Sequence, residues 1–337
     1  MKIPRVAVLG AGSWGTALGD LLARNGHDVS LWTWSKAMAD ELRQAGCNER
    51  FLPGVCLSPD LTVTNDMGSV LEGADFVLSV SPSHRVRSVV EAAAPFVPPN
   101  AVMISASKGF ELDTDLRMTQ VIGEVLGPNV AQGPVVLSGP SFAAELARHL
   151  PTAVTLASSS SANAESVQRL CQNDHFRLYT QPDVIGTEVG GSLKNVMAIA
   201  AGISDGLGLG ANARAALLTR GLAEMSRLAE RMGGQAVTLA GLAGMGDLVL
   251  TCTGDLSRNR RVGLALGSGL KLQSVLAEMT AVAEGVRTTR AARDLAQALG
   301  VEMPIVDAVY SVLYEGVAPV EGLARLMSRD PKPERWS

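Results

Sequence analysis

The sequence predicts an α/β domain with a doubly wound, mostly parallel sheet, followed by an all-α domain. In the first half, short apolar β-rich runs alternate with helical stretches, and this order of elements is typical of a parallel sheet covered by helices. Further along, alanine, leucine and methionine recur at helical spacing and strand-like runs disappear. The chain has 337 residues, more than one hydrophobic core usually serves, so we expect two domains.

The strands of the first half are predicted from runs that are apolar throughout, because a strand covered on both faces shows no alternation. Five such runs lie at residues 6–9, 29–32, 76–80, 102–104 and 135–137. Two further strands are predicted at residues 152–157 and 176–179. Helices fit between most of these strands, for example over residues 16–25 and 116–126.

The second half is predicted to be helical. The apolar spacing predicts helices at residues 193–203, 213–232, 272–279, 287–299 and 305–314. We therefore expect an α/β domain over residues 1–186 and a helical domain over residues 187–330. The proline-rich and charged residues 331–337 are expected to form a tail.

The composition argues against several classes of function. A net charge of −4 gives no general basic field for nucleic acid, and aromatic residues, at 4%, are too few for a base-stacking platform. No uninterrupted apolar run reaches the length of a membrane span. The four cysteines form no CxxC pair and the four histidines do not fall at metal-ligand spacings. We therefore expect a reduced, cytoplasmic protein with no metal site.

The strongest local motif is GxGxxG, formed by Gly10, Gly12 and Gly15 with Ser13 and Trp14 between them. The motif follows the first predicted strand and opens the first helix. In this setting the glycines permit a tight turn, close approach of a pyrophosphate and close helix–sheet packing. The N–H groups at the helix N-terminus would face the phosphates. A glycine-rich turn that binds nothing is the alternative, and the β-α-β context favours a Rossmann-like dinucleotide site.

The end of the second strand should indicate which nicotinamide cofactor is used. An acid there would bind the ribose 2′-hydroxyl and repel a 2′-phosphate. The sequence instead has Trp34 after this strand and no acid before Asp40, so NADP is permitted, although no arginine selects it. Trp34 either packs on the adenine or covers the edge of the sheet, and the sequence favours neither.

Two lysines stand out as candidates for chemistry. Lys108 lies beside a glycine after the fourth predicted strand, where ligands collect in such folds. Lys194 lies among small and apolar residues at the predicted domain junction, where desolvation favours proton transfer. A solvated loop or helix lysine is the alternative in both cases. A similar loop at residues 138–142 begins another helix and offers backbone N–H groups.

A concentrated positive charge lies at residues 257–261, after a glycine-rich loop that contains Asp247. Ser257, Arg258 and Asn259 combine a guanidinium fork with neutral hydrogen-bonding side chains, which suits phosphate oxygens. A surface charge cluster is the alternative.

Taken together, these segments closely resemble the bacterial-type NAD(P)-dependent glycerol-3-phosphate dehydrogenases. The resemblance runs through GAGSWGTAL from Gly10, SKGFE from Ser107, SGPSFA from Ser138, GGSLKNV from Gly190, SDGLGLGANARAAL from Ser204, GLAGMGDLVLTCT from Gly241, SRNRRVG from Ser257 and AEGVRT from Ala283. It implies a Rossmann-like domain, a helical domain, a site in the cleft between them and usually a homodimer. Many members carry arginine or histidine where this chain has Trp34, so the resemblance leaves the choice between NADH and NADPH open.

The resemblance, added to the motifs above, predicts a role for each candidate residue. Catalysis is expected from Lys194, Lys108 and Asp247. Cofactor contacts are expected from Gly10, Gly12, Ser13, Trp14, Gly15, Trp34, Lys108, Ala143, Arg258, Val282 and Glu284, of which Val282 and Glu284 close on the nicotinamide end. Substrate contacts are expected from Lys108, Gly139, Ser141, Lys194, Asp247, Ser257, Arg258 and Asn259.

The implied reaction is reversible hydride transfer between NAD(P)H and C2 of dihydroxyacetone phosphate, giving sn-glycerol 3-phosphate for glycerophospholipid synthesis. Lys194 would deliver the proton to the carbonyl oxygen and Lys108 would stabilise its developing charge. Asp247 would orient Lys194 or a substrate hydroxyl. Two alternatives stay open: a related two-domain dehydrogenase acting on a hydroxy acid, and a dinucleotide sensor with no catalytic activity.

Overall fold

The computed structural model describes residues 3–127, 133–279, 283–331 and 333–334. The described residues of the first half form ten strands: β1 (Arg5–Leu9), β2 (Asp28–Trp32), β3 (Cys47–Asn48), β4 (Leu52–Cys56), β5 (Leu61–Thr64), β6 (Phe76–Ser79), β7 (Val102–Ser105), β8 (Val135–Ser138), β9 (Thr152–Ala157) and β10 (Phe176–Gln181). The helices of this half are α1 (Ser13–Arg24), α2 (Lys36–Ala45), α3 (Met67–Leu71), α4 (Ser83–Ala93), α5 (Met118–Leu126), α6 (Ala143–Leu146) and α7 (Ser161–Cys171).

Eight strands form one sheet in the order β10-β9-β8-β7-β6-β1-β2-β5, and β3 pairs with β4 in a separate hairpin. All neighbours in the large sheet are parallel except β8 and β9. Helices cover both faces. Val6 and Val8 of β1 pack into the core under α1, α2, α6 and α7, whereas Ala7 and Leu9 face the core under α3, α4 and α5. This alternation on a strand buried on both sides explains its continuous apolar sequence.

The second half consists of helices α8 (Val184–Gly206), α9 (Gly210–Arg231), α10 (Ala236–Leu239), α11 (Asp247–Thr253), α12 (Arg258–Gly267), α13 (Leu272–Glu278), α14 (Glu284–Leu299), α15 (Pro304–Tyr314) and α16 (Pro319–Met327), with a π-helical turn at Leu242–Gly246. Helix α8 is buried over most of its length and packs against α9, α11, α12 and α14. A Cβ at Gly202 would lie 2.1 Å from the Arg260 carbonyl oxygen, and one at Gly263 would lie 2.0 Å from that of Ile199. These glycines therefore allow α8 and α12 to pack with their backbones in close contact.

The predicted fold class is confirmed: a mostly parallel sheet with helices on both faces precedes a helical half. The seven predicted strands are present, within two residues at each end. Sequence reasoning missed β5 and the β3–β4 hairpin, because both are short and partly exposed. It also placed the start of the helix around Lys194 too late. Helix α8 begins at Val184, where the Asp183 carboxylate accepts the Gly186 N–H at 2.9 Å as an N-cap.

Candidate active site

The turn from β1 into α1 requires glycine at two positions and leaves space at a third. Gly10 has a φ of +132°, and a Cβ there would lie 2.9 Å from the Val80 carbonyl oxygen. A Cβ at Gly15 would lie 1.9 Å from the carbonyl oxygen of Gly10. A Cβ at Gly12, in contrast, would meet no protein atom within 4 Å. The fold thus explains Gly10 and Gly15, whereas the open space beside Gly12 is what a closely approaching ligand needs.

The N-terminal turn of α1 is held by the β3–β4 hairpin, which sequence reasoning did not find. Ser13 Oγ donates to the Phe51 carbonyl oxygen at 2.5 Å. Asn48 Nδ2 donates to the Ala11 carbonyl oxygen at 3.1 Å and to Thr16 Oγ1 at 2.8 Å. Among the described residues, the buried indole N–H of Trp14 has no hydrogen-bond acceptor. The predicted cofactor loop is therefore a backbone cradle supported from one side by this hairpin.

Trp34 lies between β2 and α2 with 81% of its surface exposed. The next residue, Ser35, caps α2 by accepting the Met38 N–H. A side chain this exposed does not cover the sheet edge, so that alternative for Trp34 is wrong. Stacking on an adenine stays a prediction, and such a contact would explain an exposed indole at this position.

The three predicted catalytic side chains meet in one ion cluster. Asp247, the first residue of α11, accepts a hydrogen bond on each carboxylate oxygen: Oδ2 lies 2.6 Å from Lys108 Nζ and Oδ1 lies 2.8 Å from Lys194 Nζ. Lys108 comes from the loop after β7, whereas Lys194 lies on α8. The cluster therefore joins the carboxyl end of the sheet to the helical half, across the junction where the sequence predicted a site.

Thr251 completes this cluster. Lys194 Nζ donates to Thr251 Oγ1 at 2.8 Å, and Thr251 Oγ1 donates to Asp247 Oδ1 at 3.2 Å. Sequence reasoning assigned no role to Thr251. The signal was present, because a residue four positions after Asp247 lies on the same face of a helix.

Burial sets the protonation of the cluster. Lys194 is 8% exposed and Asp247 is 1% exposed. Desolvation lowers the pKa of the Lys194 ammonium to about 8, with Asp247 opposing this shift and Lys108 adding to it. Burial alone would raise the pKa of Asp247, but the two ammonium groups outweigh it and hold that pKa below its usual value. A buried carboxylate thus holds two cations, one of which exchanges its proton near neutral pH.

The loop after β8 lies against the same lysine. Lys108 Nζ also donates to the Gly139 carbonyl oxygen at 3.3 Å, and Ser141 Oγ donates to that oxygen at 3.0 Å. Gly139 has a φ of +146°, and a Cβ there would lie 2.9 Å from Val154 Cα. Ala143 begins α6 and is partly buried. Gly139 and Ser141, predicted to contact substrate, therefore lie beside the predicted catalytic Lys108.

The residues predicted to bind the substrate phosphate lie at the start of α12. They differ in whether their side chains are already hydrogen-bonded within the protein. Arg258 is exposed and makes no hydrogen bond or ion pair with any residue that the structure describes. Ser257 is buried and caps α12 by accepting the Arg260 N–H at 3.2 Å. Arg260 itself makes two bonds to the Asp205 carboxylate, at 2.8 and 3.0 Å. Of these side chains, Arg258 is thus the guanidinium available to an anion.

Asn259 joins three helices. Its Nδ2 donates to Asn195 Oδ1 on α8 at 2.9 Å, and its Oδ1 accepts the Gly285 N–H on α14 at 3.0 Å. Asn195 follows Lys194 directly, so the amide pair fixes the start of α12 beside the ion cluster. The amide of Asn259 is therefore largely engaged within the protein, with one N–H left for a ligand.

Glu284 connects the start of α14 to the start of α4. Its Oε1 accepts the Ser83 N–H at 3.2 Å, at the N-terminus of α4. Burial raises the pKa of the Glu284 carboxyl, opposed by that hydrogen bond and by the charges of Arg258, Lys194 and Lys108. Val282, the other residue predicted to close on the nicotinamide end, lies outside the described residues.

Comparison with known proteins agrees with this geometry. Residues 5–164 match the family model for the N-terminus of NAD-dependent glycerol-3-phosphate dehydrogenase, and residues 183–324 match the model for its C-terminus. The chain belongs to the glycerol-3-phosphate dehydrogenase family.

Relatives in this family are similar along the whole chain. Glycerol-3-phosphate dehydrogenase [NAD(P)+] from Geobacter sulfurreducens is 56% identical over 332 residues, which cover 98% of this chain and 99% of the relative. The protein of the same name from Geobacter metallireducens is 54% identical over 331 residues, covering 98% and 99%. The crystal structure of glycerol-3-phosphate dehydrogenase from Coxiella burnetii superposes with a TM-score of 0.92 at 42% identity, covering 97% of this chain and 99% of that one.

The described residues contain no helix that is both long enough and apolar enough to cross a bilayer.

Proposed function

We propose that this chain catalyses reversible hydride transfer between NAD(P)H and C2 of dihydroxyacetone phosphate, giving sn-glycerol 3-phosphate, the precursor of glycerophospholipids. One observation carries the proposal: Asp247 holds Lys108 and Lys194 on its two oxygens, at 2.6 and 2.8 Å. A carbonyl reduction needs one proton donor and one fixed positive charge beside the oxygen that becomes negative. These two lysines supply both.

The residues present fit a dinucleotide. The helix N-terminus of α1 supplies free N–H groups, the side-chain-free surface of Gly12 allows close approach, and the orphaned Trp14 N–H is a further donor. We propose that Gly10, Gly12, Ser13, Trp14, Gly15, Trp34, Lys108, Ala143, Arg258, Val282 and Glu284 contact the cofactor. When bound, the nicotinamide supplies or accepts the hydride.

The reacting carbonyl is activated by the protein's own cations. Lys194 donates its proton to the C2 oxygen, since a pKa of about 8 lets its ammonium give up and regain a proton near neutral pH. Lys108, held on the other oxygen of Asp247, stabilises the negative charge that builds on the C2 oxygen. Asp247 keeps both ammonium groups aimed at one point, and Thr251 limits the rotation of Lys194.

The substrate phosphate is assigned to the start of α12. Arg258 has its guanidinium free, the helix N-terminus is positive, and the second N–H of Asn259 is available. Ser257, Gly139 and Ser141 line the approach to the two lysines. Binding at the phosphate end, remote from C2, positions the reacting carbon.

The experiment that tests this function is an assay of NAD(P)H oxidation with three ketones. We expect turnover with dihydroxyacetone phosphate, and rates at least about a hundredfold lower with dihydroxyacetone and with a 2-keto acid, because neither offers the phosphate to Arg258. Lys194→Ala should lower the rate at least about a hundredfold with near-normal cofactor binding. Faster turnover of the keto acid would favour the hydroxy-acid alternative, and cofactor binding with no turnover of any ketone would favour the sensor.

We also propose the division into an α/β domain over residues 1–186, a helical domain over residues 187–330 and a tail at 331–337. A homodimer is proposed from the family resemblance, and light scattering would test it. The cytoplasm is proposed as the protein's location, because the four scattered cysteines form no CxxC pair.

A further inference from the structure

The β3–β4 hairpin places two cysteines opposite each other. Cys47 and Cys56 are register partners in this antiparallel pair, and the strand irregularity begins only after Cys47. The neighbouring pair, Gly46 and Leu57, is a hydrogen-bonded pair, because the Leu57 N–H donates to the Gly46 carbonyl oxygen at 2.8 Å. Cys47 and Cys56 therefore occupy a non-hydrogen-bonded position, where Cα atoms lie about 4.5 Å apart and side chains are close. Disulfides span Cα separations of about 4.4–6.8 Å, so the backbone already permits a bond.

The four cysteines differ in access to solvent. Cys56 is exposed and Cys47 is partly exposed, whereas Cys171 and Cys252 are buried. Burial raises the pKa of Cys171 and of Cys252 to about 12, so both stay protonated and out of reach. Oxidation is thus directed to the hairpin pair.

We propose that Cys47 and Cys56 are a modification site that forms a reversible disulfide by exchange with a low-molecular-weight disulfide. The exposed Cys56 thiolate attacks the small disulfide, forms a mixed disulfide and releases one small thiolate. The Cys47 thiolate then attacks the Cys56 sulfur, closes the intramolecular bond and releases the second small thiolate. Two protein thiols are oxidised and one small disulfide is reduced to two thiols.

The second step should be sensitive to pH. Desolvation, together with the neighbouring Glu49, raises the pKa of the Cys47 thiol, and Cys56 and Glu41 of α2 add to the shift. Cys47 is therefore mostly protonated near neutral pH, and the rate of ring closure should rise with pH, approaching tenfold per pH unit below that pKa.

The bond would close a ring around the residues that support the cofactor loop. Asn48 and Phe51, which bond to the loop at Ala11 and Ser13, both lie between the two cysteines. The disulfide would restrict opening of the hairpin without changing its register. We therefore expect the oxidised protein to unfold about 2–6 °C higher and to bind NADPH and NADH within about threefold of the reduced protein.

The experiment treats the full-length protein with glutathione disulfide at pH 7.0 and 8.5 and follows it by intact-mass and peptide mass spectrometry. We expect loss of two hydrogens in the monomer, a linked peptide containing Cys47 and Cys56, faster closure at pH 8.5, and recovery with dithiothreitol. Cys171 and Cys252 should stay reduced and serve as internal controls. The Cys47→Ser protein should accumulate a stable glutathione adduct on Cys56, because it lacks the second thiol that would displace the glutathione.

Two results would overturn the proposal. One is wild-type protein that accumulates the same stable adduct as Cys47→Ser. The other is a crosslink that forms between chains, seen as a dimer on a non-reducing gel whose yield falls on dilution. Either result leaves the proposed dehydrogenase function untouched, since that function is measured on reduced protein.

Discussion

Lys194 Nζ lies 2.8 Å from Asp247 Oδ1, and both groups are buried. Burial pulls the Lys194 pKa down and the Asp247 charge pulls it up, leaving it at about 8. The carboxylate therefore sets when this lysine holds a proton. If Lys194 is the proton donor, ketone reduction needs its ammonium form and should fail as pH rises through about 8. Oxidation of the alcohol needs the neutral amine and should rise over the same range.

Asp247→Asn should move this pH dependence to lower values. Without the carboxylate, Lys194 loses the charge that raises its pKa and still faces Lys108. The alkaline limb of kcat for reduction should move to lower pH by about one to three units, and kcat at pH 7 should fall between about twofold and about a hundredfold. Rates measured from pH 6 to 9 test this. A reduced rate with an unshifted limb would mean that Lys194 is not the titrating donor.

Thr251→Val should reduce kcat about tenfold, since it removes one hydrogen bond to a buried ammonium. The matched control is Thr253→Val, on the same helix but exposed and, within the described part of the chain, hydrogen-bonded through its side chain only to the Val249 carbonyl oxygen. That variant should retain nearly wild-type activity. Steady-state kinetics of the two variants give the comparison, and thermal unfolding checks that both are folded. Equal losses of kcat in the two variants would mean that Thr251 contributes only to helix stability.

Arg258→Ala should lower kcat/KM for dihydroxyacetone phosphate by about a hundredfold or more, because the phosphate loses its charged partner. Dihydroxyacetone should be a poor substrate that is much less affected by the change. Arg261→Ala removes an exposed arginine from the same helix and is the control, with little expected effect. The value of kcat/KM is measured for the wild-type protein and the variants with both ketones. If Arg258→Ala lowers kcat/KM equally for the two ketones, the phosphate assignment is wrong.

Trp34→Asp should move cofactor preference toward NADH, by repulsion of the 2′-phosphate. The wild-type protein should accept NADPH, because no carboxylate ends β2. Because Trp34 is 81% exposed, its replacement should leave the thermal stability nearly unchanged. Dissociation constants for both cofactors, from protein fluorescence, check the prediction. Strong binding of NADH with none of NADPH by the wild-type protein would contradict this interpretation of the strand end.

Local sequence patterns were sufficient to predict those features that depend on residues close together in the chain. The apolar runs predicted the buried strands, and GxGxxG predicted the β1–α1 turn, because φ angles, strand burial and helix termini leave periodic or short-range signals. The start of α8 and the β3–β4 hairpin were missed, since an N-cap from Asp183 and a short exposed strand carry weak signals.

Patterns along the chain were enough to predict an α/β half, a helical half and a set of polar residues that resemble those of one enzyme family. Which of those polar residues contact each other depends on how the two halves fold and pack. Lys108 and Asp247 are 139 positions apart, and Asn195 and Asn259 are 64 apart, yet each pair is in hydrogen-bond contact. The tertiary structure also distinguishes Arg258, whose guanidinium is free among the residues described, from Arg260 two positions later, which is paired with Asp205. The reason is physical: helix and strand periodicity act over a few residues, whereas desolvation and charge pairing depend on the packing of distant elements.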